Sequence, residues 1–141
     1  MNRPPLPQHS SNSEWAKFIA GFGYAFHGLW YTLRTEHNAR VHAGVSVLVI
    51  IAGIALHIST VEFALLFVAI AGVFVSEMFN TVIELCVDIS TPEYHPLAKI
   101  AKDVAAGAVL LSAILATIIG LLVFGPHLLA LFHLLLRSSL A

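Results

Sequence analysis

No residue between Asp103 and Arg137 carries a fixed charge, and none does between Arg40 and Glu62. A soluble chain of 141 residues has too small a core to hide runs of that length. Apolar residues make up 58% of the sequence and charged residues 11%, against about 25% charged in soluble domains. The chain therefore reads as an all-α membrane protein. Its net charge of −1 and calculated pI of 6.7 give no reason to expect a nucleic-acid partner. Cys86 is the only cysteine, which excludes a disulfide framework and a thiolate metal cluster; it is expected as a buried packing residue. Residues 1–10 contain no apolar run, so they are not a secretory signal, and they are expected to form a disordered tail.

Three spans follow: about 41–58, free of fixed charge; 61–89, a largely apolar run whose only Pro or Gly is Gly72; and 104–124, again free of fixed charge. The first ends at the polar turn Ser59-Thr60. The second is roughly 43 Å long at ~1.5 Å per residue. That exceeds the ~30 Å hydrocarbon layer, so its polar end, past Glu77, should reach water. Gly125-Pro126 is expected to interrupt the last helix, with Pro126 in the first turn of a new short one. Residues 125–141 would then be an apolar C-terminal extension. Arg3, Lys17, Arg34, Arg40, Lys99 and Lys102 fall on one side of the spans and Arg137 on the other. The first side should be the cytoplasm, with the N-terminus inside.

Residues 11–36 read as an amphipathic helix lying in the membrane surface. Ser11 and Glu14 have capping-box spacing. Trp15, Phe18, Ile19, Phe22, Phe26, Leu29, Trp30 and Leu33 recur at helical intervals. Lys17, Gly21, Tyr24, Gly28 and Tyr31 form a second stripe, suited to close backbone approach by a ligand or, equally, to ordinary helix packing.

The second span carries the most informative pattern. Glu77, Asn80, Glu84 and Asp88 are spaced by three, four and four residues, within roughly an 80° arc of one helix face. Each intramembrane carboxylate costs at least ~2.5 kcal/mol. Either the acids pair with Lys or Arg of neighbouring helices and hold the bundle, or they serve a ligand. Glu36, before the first span, can meet Glu84 if the spans pack side by side. Two carboxylates and an amide are hard oxygen ligands of the kind Mg²⁺ takes, with water and phosphate oxygens completing the shell. Lys99 and Lys102 can face phosphate. Glu77, deepest in the apolar region, is the candidate general base. Base, metal carboxylates and lysines together describe phosphoryl transfer. No P-loop or protein-kinase motif is present. His9, His57 and His133 lack metal-ligand spacing. His42 and His95 sit beside the charged residues and can contact phosphate or simply bond to backbone.

The run Glu77-Met78-Phe79-Asn80-Thr81-Val82-Ile83-Glu84-Leu85-Cys86-Val87-Asp88, followed by Glu93-Tyr94-His95, Lys99, Lys102-Asp103 and Gly107, resembles the small bacterial membrane lipid kinases, the prokaryotic diacylglycerol kinase and undecaprenol kinase family. The resemblance covers about residues 15–124. It implies a homotrimer in the bacterial cytoplasmic membrane, each chain with one surface helix and three spans. It implies ATP- and Mg²⁺-dependent phosphorylation of a lipid alcohol at the cytoplasmic face. Matching positions make Glu77 the catalytic base and Glu36 and Glu84 the metal ligands. They put Lys17, Tyr24, Glu36, Asn80, Glu84, Glu93, Tyr94, His95, Lys102 and Asp103 around ATP. Lys17, Trp30, Asn38 and Glu77 would face the lipid. The segments around 36–42 and 92–99 look more like the undecaprenol branch than the diacylglycerol branch. The competing reading is a non-enzymatic oligomer forming an ion or proton pathway, which lined carboxylates also suit.

Overall fold

The computed structural model describes residues 13–91 and 93–139; the tail at 1–10, Ser11 of the predicted capping box and the last two residues lie outside these. Four helices follow in order: α1 (Glu14–Thr35), α2 (His37–Ala55), α3 (Thr60–Ser90) and α4 (Pro96–Ser139). The described residues contain no strand. Three helices, α2, α3 and α4, are long and apolar enough to cross a membrane.

α1 starts at an N-cap supplied by Ser13, whose hydroxyl accepts from the Ala16 amide at 3.3 Å. The cap is thus two residues past the Ser11 expected from the sequence. Glu36 is extended, with φ −88° and ψ 123°, and separates α1 from α2. Arg40 donates to the Arg34 carbonyl at 2.9 Å and so satisfies an open acceptor at the end of α1. The span therefore begins as helix at His37, four residues before the expected start.

α2 ends three residues earlier than expected, in a Schellman turn. Ile58 N–H reaches the Gly53 carbonyl and His57 N–H the Ile54 carbonyl, both at 3.2 Å. His57 carries the turn at φ 52°, a conformation that crowds any side chain with a Cβ. A Cβ at Gly53 would lie 2.9 Å from Ile58 Cδ1 and 3.0 Å from the Phe63 ring, so glycine lets this corner close. His57→Gly is accordingly expected to stabilise the protein, by up to about 1 kcal/mol. Its midpoint in denaturant, in detergent, checks this.

Ser59 caps α3 in a full capping box with Glu62. The core lies at this end of the molecule, where Ile58, Leu66 and Val123 are buried against Val49, Leu56, Phe63, Ile119 and Phe124. Packing between α3 and α4 is the most extensive of the molecule. Most other large apolar side chains are exposed along the helices, the distribution of a surface that meets lipid rather than water. Cys86, expected to be buried, is exposed on α3.

α4 departs from the expected break at Gly125-Pro126. It is a single helix of 44 residues with Pro126 inside it, not two helices broken at Gly125-Pro126. Proline forfeits one backbone hydrogen bond, to the carbonyl of Leu122. In an apolar medium a break would leave more groups unpaired than that single loss. His127, immediately after Pro126, is also fastened to α3 by a 3.0 Å contact from Nε2 to Glu62 Oε1.

Candidate active site

The polar side chains of the molecule converge on the middle of α3. Thr32, Glu77, Asn80 and Thr81 are the buried polar residues, and Glu77, at 1% exposure, is the most enclosed large side chain among the described residues. Along the stripe Glu77 meets His42 of α2, whereas Asn80 lines a cavity with residues of α4 and Asp88 pairs with Lys102 of α4. Thr81 Oγ1 donates back to the Glu77 carbonyl at 3.0 Å. Asn80 Nδ2 donates to Glu84 Oε1 at 2.8 Å, which fixes both side chains along the helix.

Among the described residues, two buried acceptors lack hydrogen-bond partners: Glu77 Oε1 and Asn80 Oδ1. A buried acceptor left unpaired costs about 1–3 kcal/mol. Such atoms are rare in folded proteins and mark places prepared for a donor or a cation. His42, on α2, brings Nε2 to 3.4 Å from Glu77 Oε1, without hydrogen-bond alignment. Glu36, Glu84 and His42 all lie within electrostatic reach of the Glu77 carboxylate. The donor set of Glu36, Glu84 and the orphan Asn80 Oδ1 is all oxygen, as Mg²⁺ requires. No three His, Cys, Asp or Glu side chains among the described residues enclose a metal unaided, so a metal here depends on water or ligand oxygens as well.

A second cluster lies beyond this, where α3 hands over to α4. Asp88, Glu93, Tyr94, His95, Lys99, Lys102 and Asp103 line one open cavity. Lys102 is ion-paired with Asp88, and Lys99 with Asp103 at 3.2 Å. His95 Nδ1 accepts from the Leu97 amide at 3.2 Å and caps α4.

The remaining candidates do not join either cluster within the chain. Lys17 pairs with Glu14 at 2.8 Å on the exposed face of α1. Tyr24 and Trp30 are exposed, 78% and 61% respectively, and Asn38 is exposed at the start of α2. Sequence reasoning missed the facing of His42 and Glu77, which needs the packing of α2 on α3. It also left Asp88 out of the site, although Asp88 is the fourth member of the acidic stripe.

An all-helical membrane protein with a buried carboxylate, an amide and a cluster of paired acids and lysines where α3 meets α4 is a candidate membrane phosphotransferase. The family described as Prokaryotic diacylglycerol kinase matches residues 23–124. A protein described as undecaprenol kinase, from Bacillus subtilis (strain 168), is 45% identical over 82% of this chain and 94% of its own length. A diacylglycerol kinase of Synechocystis sp. is 43% identical over 80% of this chain and 65% of its own length. The diacylglycerol kinase of Escherichia coli (strain K12) is 27% identical over 84% and 97%. The chain belongs to the prokaryotic diacylglycerol kinase family, and it is a membrane lipid kinase.

Proposed function

We propose that this protein phosphorylates the hydroxyl of undecaprenol from Mg·ATP at the cytoplasmic face of the bacterial inner membrane, as a homotrimer with α1 lying in the membrane surface. The observation that carries the reading is the enclosed Glu77, with an unpartnered carboxylate oxygen beside the Asn80–Glu84 pair. A lipid alcohol is a poor nucleophile until its proton is accepted as the new O–P bond forms. Glu77 accepts that proton. The hydroxyl oxygen attacks the γ-phosphorus, the bond to the β-phosphate oxygen breaks, and ADP leaves.

Glu36, Glu84 and Asn80 Oδ1 would hold the Mg²⁺, which when bound offsets charge on the β- and γ-phosphate oxygens. Lys102 would exchange Asp88 for a phosphate oxygen. Glu93, Tyr94, His95 and Asp103 would border the nucleotide, with Lys17 and Tyr24 closing over it from α1. Trp30 and Asn38 would meet the lipid. The undecaprenol acceptor is favoured by the near full-length similarity to the Bacillus subtilis enzyme. Diacylglycerol is the second reading, favoured by the Synechocystis relative at almost the same identity.

The test offers undecaprenol and diacylglycerol in parallel to the purified protein with γ-labelled ATP and Mg²⁺. Label mainly in undecaprenol is the expected result. Label mainly in diacylglycerol moves the assignment to the second reading. Label in neither, from folded protein, overturns both.

A further inference from the structure

Glu77 Oε1 is buried, without a hydrogen-bond partner, and 3.4 Å from His42 Nε2. The carboxylate side chain is 2% exposed and the imidazole 25%. His42 belongs to α2 and Glu77 to α3, so the packing of two helices sets the approach of the two groups. The backbone at His42 is itself tied, its carbonyl accepting from Ser46 Oγ at 2.7 Å. His42 also forms part of the wall of a cavity between α2, α3 and α4, together with Val45, Leu66, Val73 and Phe124. The lining of that cavity includes no charged side chain. Its two hydroxyls, Ser46 and Thr117, already donate to the backbone carbonyls of His42 and Ala113.

A general base is useful only when one oxygen points at the proton it must take. A carboxylate on a side chain with three rotatable bonds needs a second group to hold it. We propose that His42 is a positioning residue for Glu77. With its proton on Nε2, it holds Oε1 and leaves the other carboxylate oxygen to receive the proton of the lipid hydroxyl. The gap closes to a hydrogen bond when the imidazole turns to bring Nε2 about half an ångström nearer. This inference rests on the reading of Glu77 as base, and the test separates the two.

His42→Leu keeps an apolar side chain of similar bulk and removes the donor. Its kcat for label transfer is expected to fall about 10- to 100-fold, the effect of losing one hydrogen bond to a charged group. Its KM for Mg·ATP should stay near that of the parent protein. His42→Gln places an amide N–H close to the position of Nε2 and is expected to recover most of the loss. An unchanged kcat in His42→Leu overturns the proposal. So does a loss that His42→Gln leaves unrelieved, which would mean packing alone, or a loss expressed only in KM. If His42→Leu does not fold, His42→Asn serves instead: its amide reaches only the Nδ1 position, so Asn should be slow and Gln fast. Equal rates for these two overturn the proposal. Glu77→Gln is the control. An active Glu77→Gln overturns the base reading itself, whereas an inactive one beside a fully active His42→Leu overturns the role of His42 alone.

Discussion

Glu77→Gln is expected to lower phosphoryl transfer by about 10²- to 10⁴-fold, the usual contribution of a positioned general base. Glutamine has the same shape and keeps both hydrogen-bonding positions, but it cannot take a proton. The residue is 1% exposed, so bulk water has no path to stand in for it. The fold should survive the change. A carboxylate inside apolar helices is expensive to hold, and exchanging it for a neutral amide is expected to leave the thermal unfolding midpoint equal or raised. Both quantities are measured on the same preparation, label transfer first and unfolding by helical circular dichroism second. Parent-level transfer in a folded Glu77→Gln protein would remove Glu77 from the chemistry.

Chelation of divalent cations is the second large effect. Excess EDTA should bring transfer to background, and added Mg²⁺ should restore it. In Glu84→Gln the Mg²⁺ concentration for half-maximal rate is expected to rise about tenfold or more, the scale on which metal sites respond to changes in their carboxylates. Asn80 Nδ2 already holds Glu84 Oε1 at 2.8 Å, so the carboxylate is oriented before any ion arrives. A Mg²⁺ titration at fixed ATP reads the shift. Transfer that continues undiminished in EDTA would exclude the metal role given to Glu36 and Glu84.

Much of this architecture could be read from residues alone, because charge is so costly in lipid that its absence marks the spans. The bounds of α3 came within a residue at each end for a different reason: the polar turn Ser59-Thr60 opens it, and no proline interrupts it. The acidic stripe was legible for a related reason: a three-four-four spacing places side chains on one face whatever packs against it. Other features depend on what lies across from a residue, which spacing does not encode. Ser13 rather than Ser11 caps α1, since both are good caps and the choice falls to where the helix can begin. Pro126 looked like a stop because that is its habit in water. Inside a long apolar helix, one missing hydrogen bond is the smaller loss. The partners of Glu77, Asp88 and Glu62 come from the helices on either side of α3 in the chain, and only their packing reveals His42, Lys102 and His127. The roles of Lys17 and Tyr24 rest on the family resemblance, since within one chain α1 leaves both exposed.

The two polar contacts between α3 and α4 have a geometric consequence. Glu62 meets His127 and Asp88 meets Lys102. The first and second partners are 26 residues apart on α3 and 25 apart on α4. The two helices are therefore pinned at matched distances, like rails bolted at both ends. Apolar surfaces resist separation but offer little friction against sliding, because one methyl group serves as well as the next. The two pins supply that missing register, and a slip by a single turn would break both. A ligand that draws Lys102 away from Asp88 withdraws one bolt, leaving Glu62 and His127 to hold the alignment from the far end.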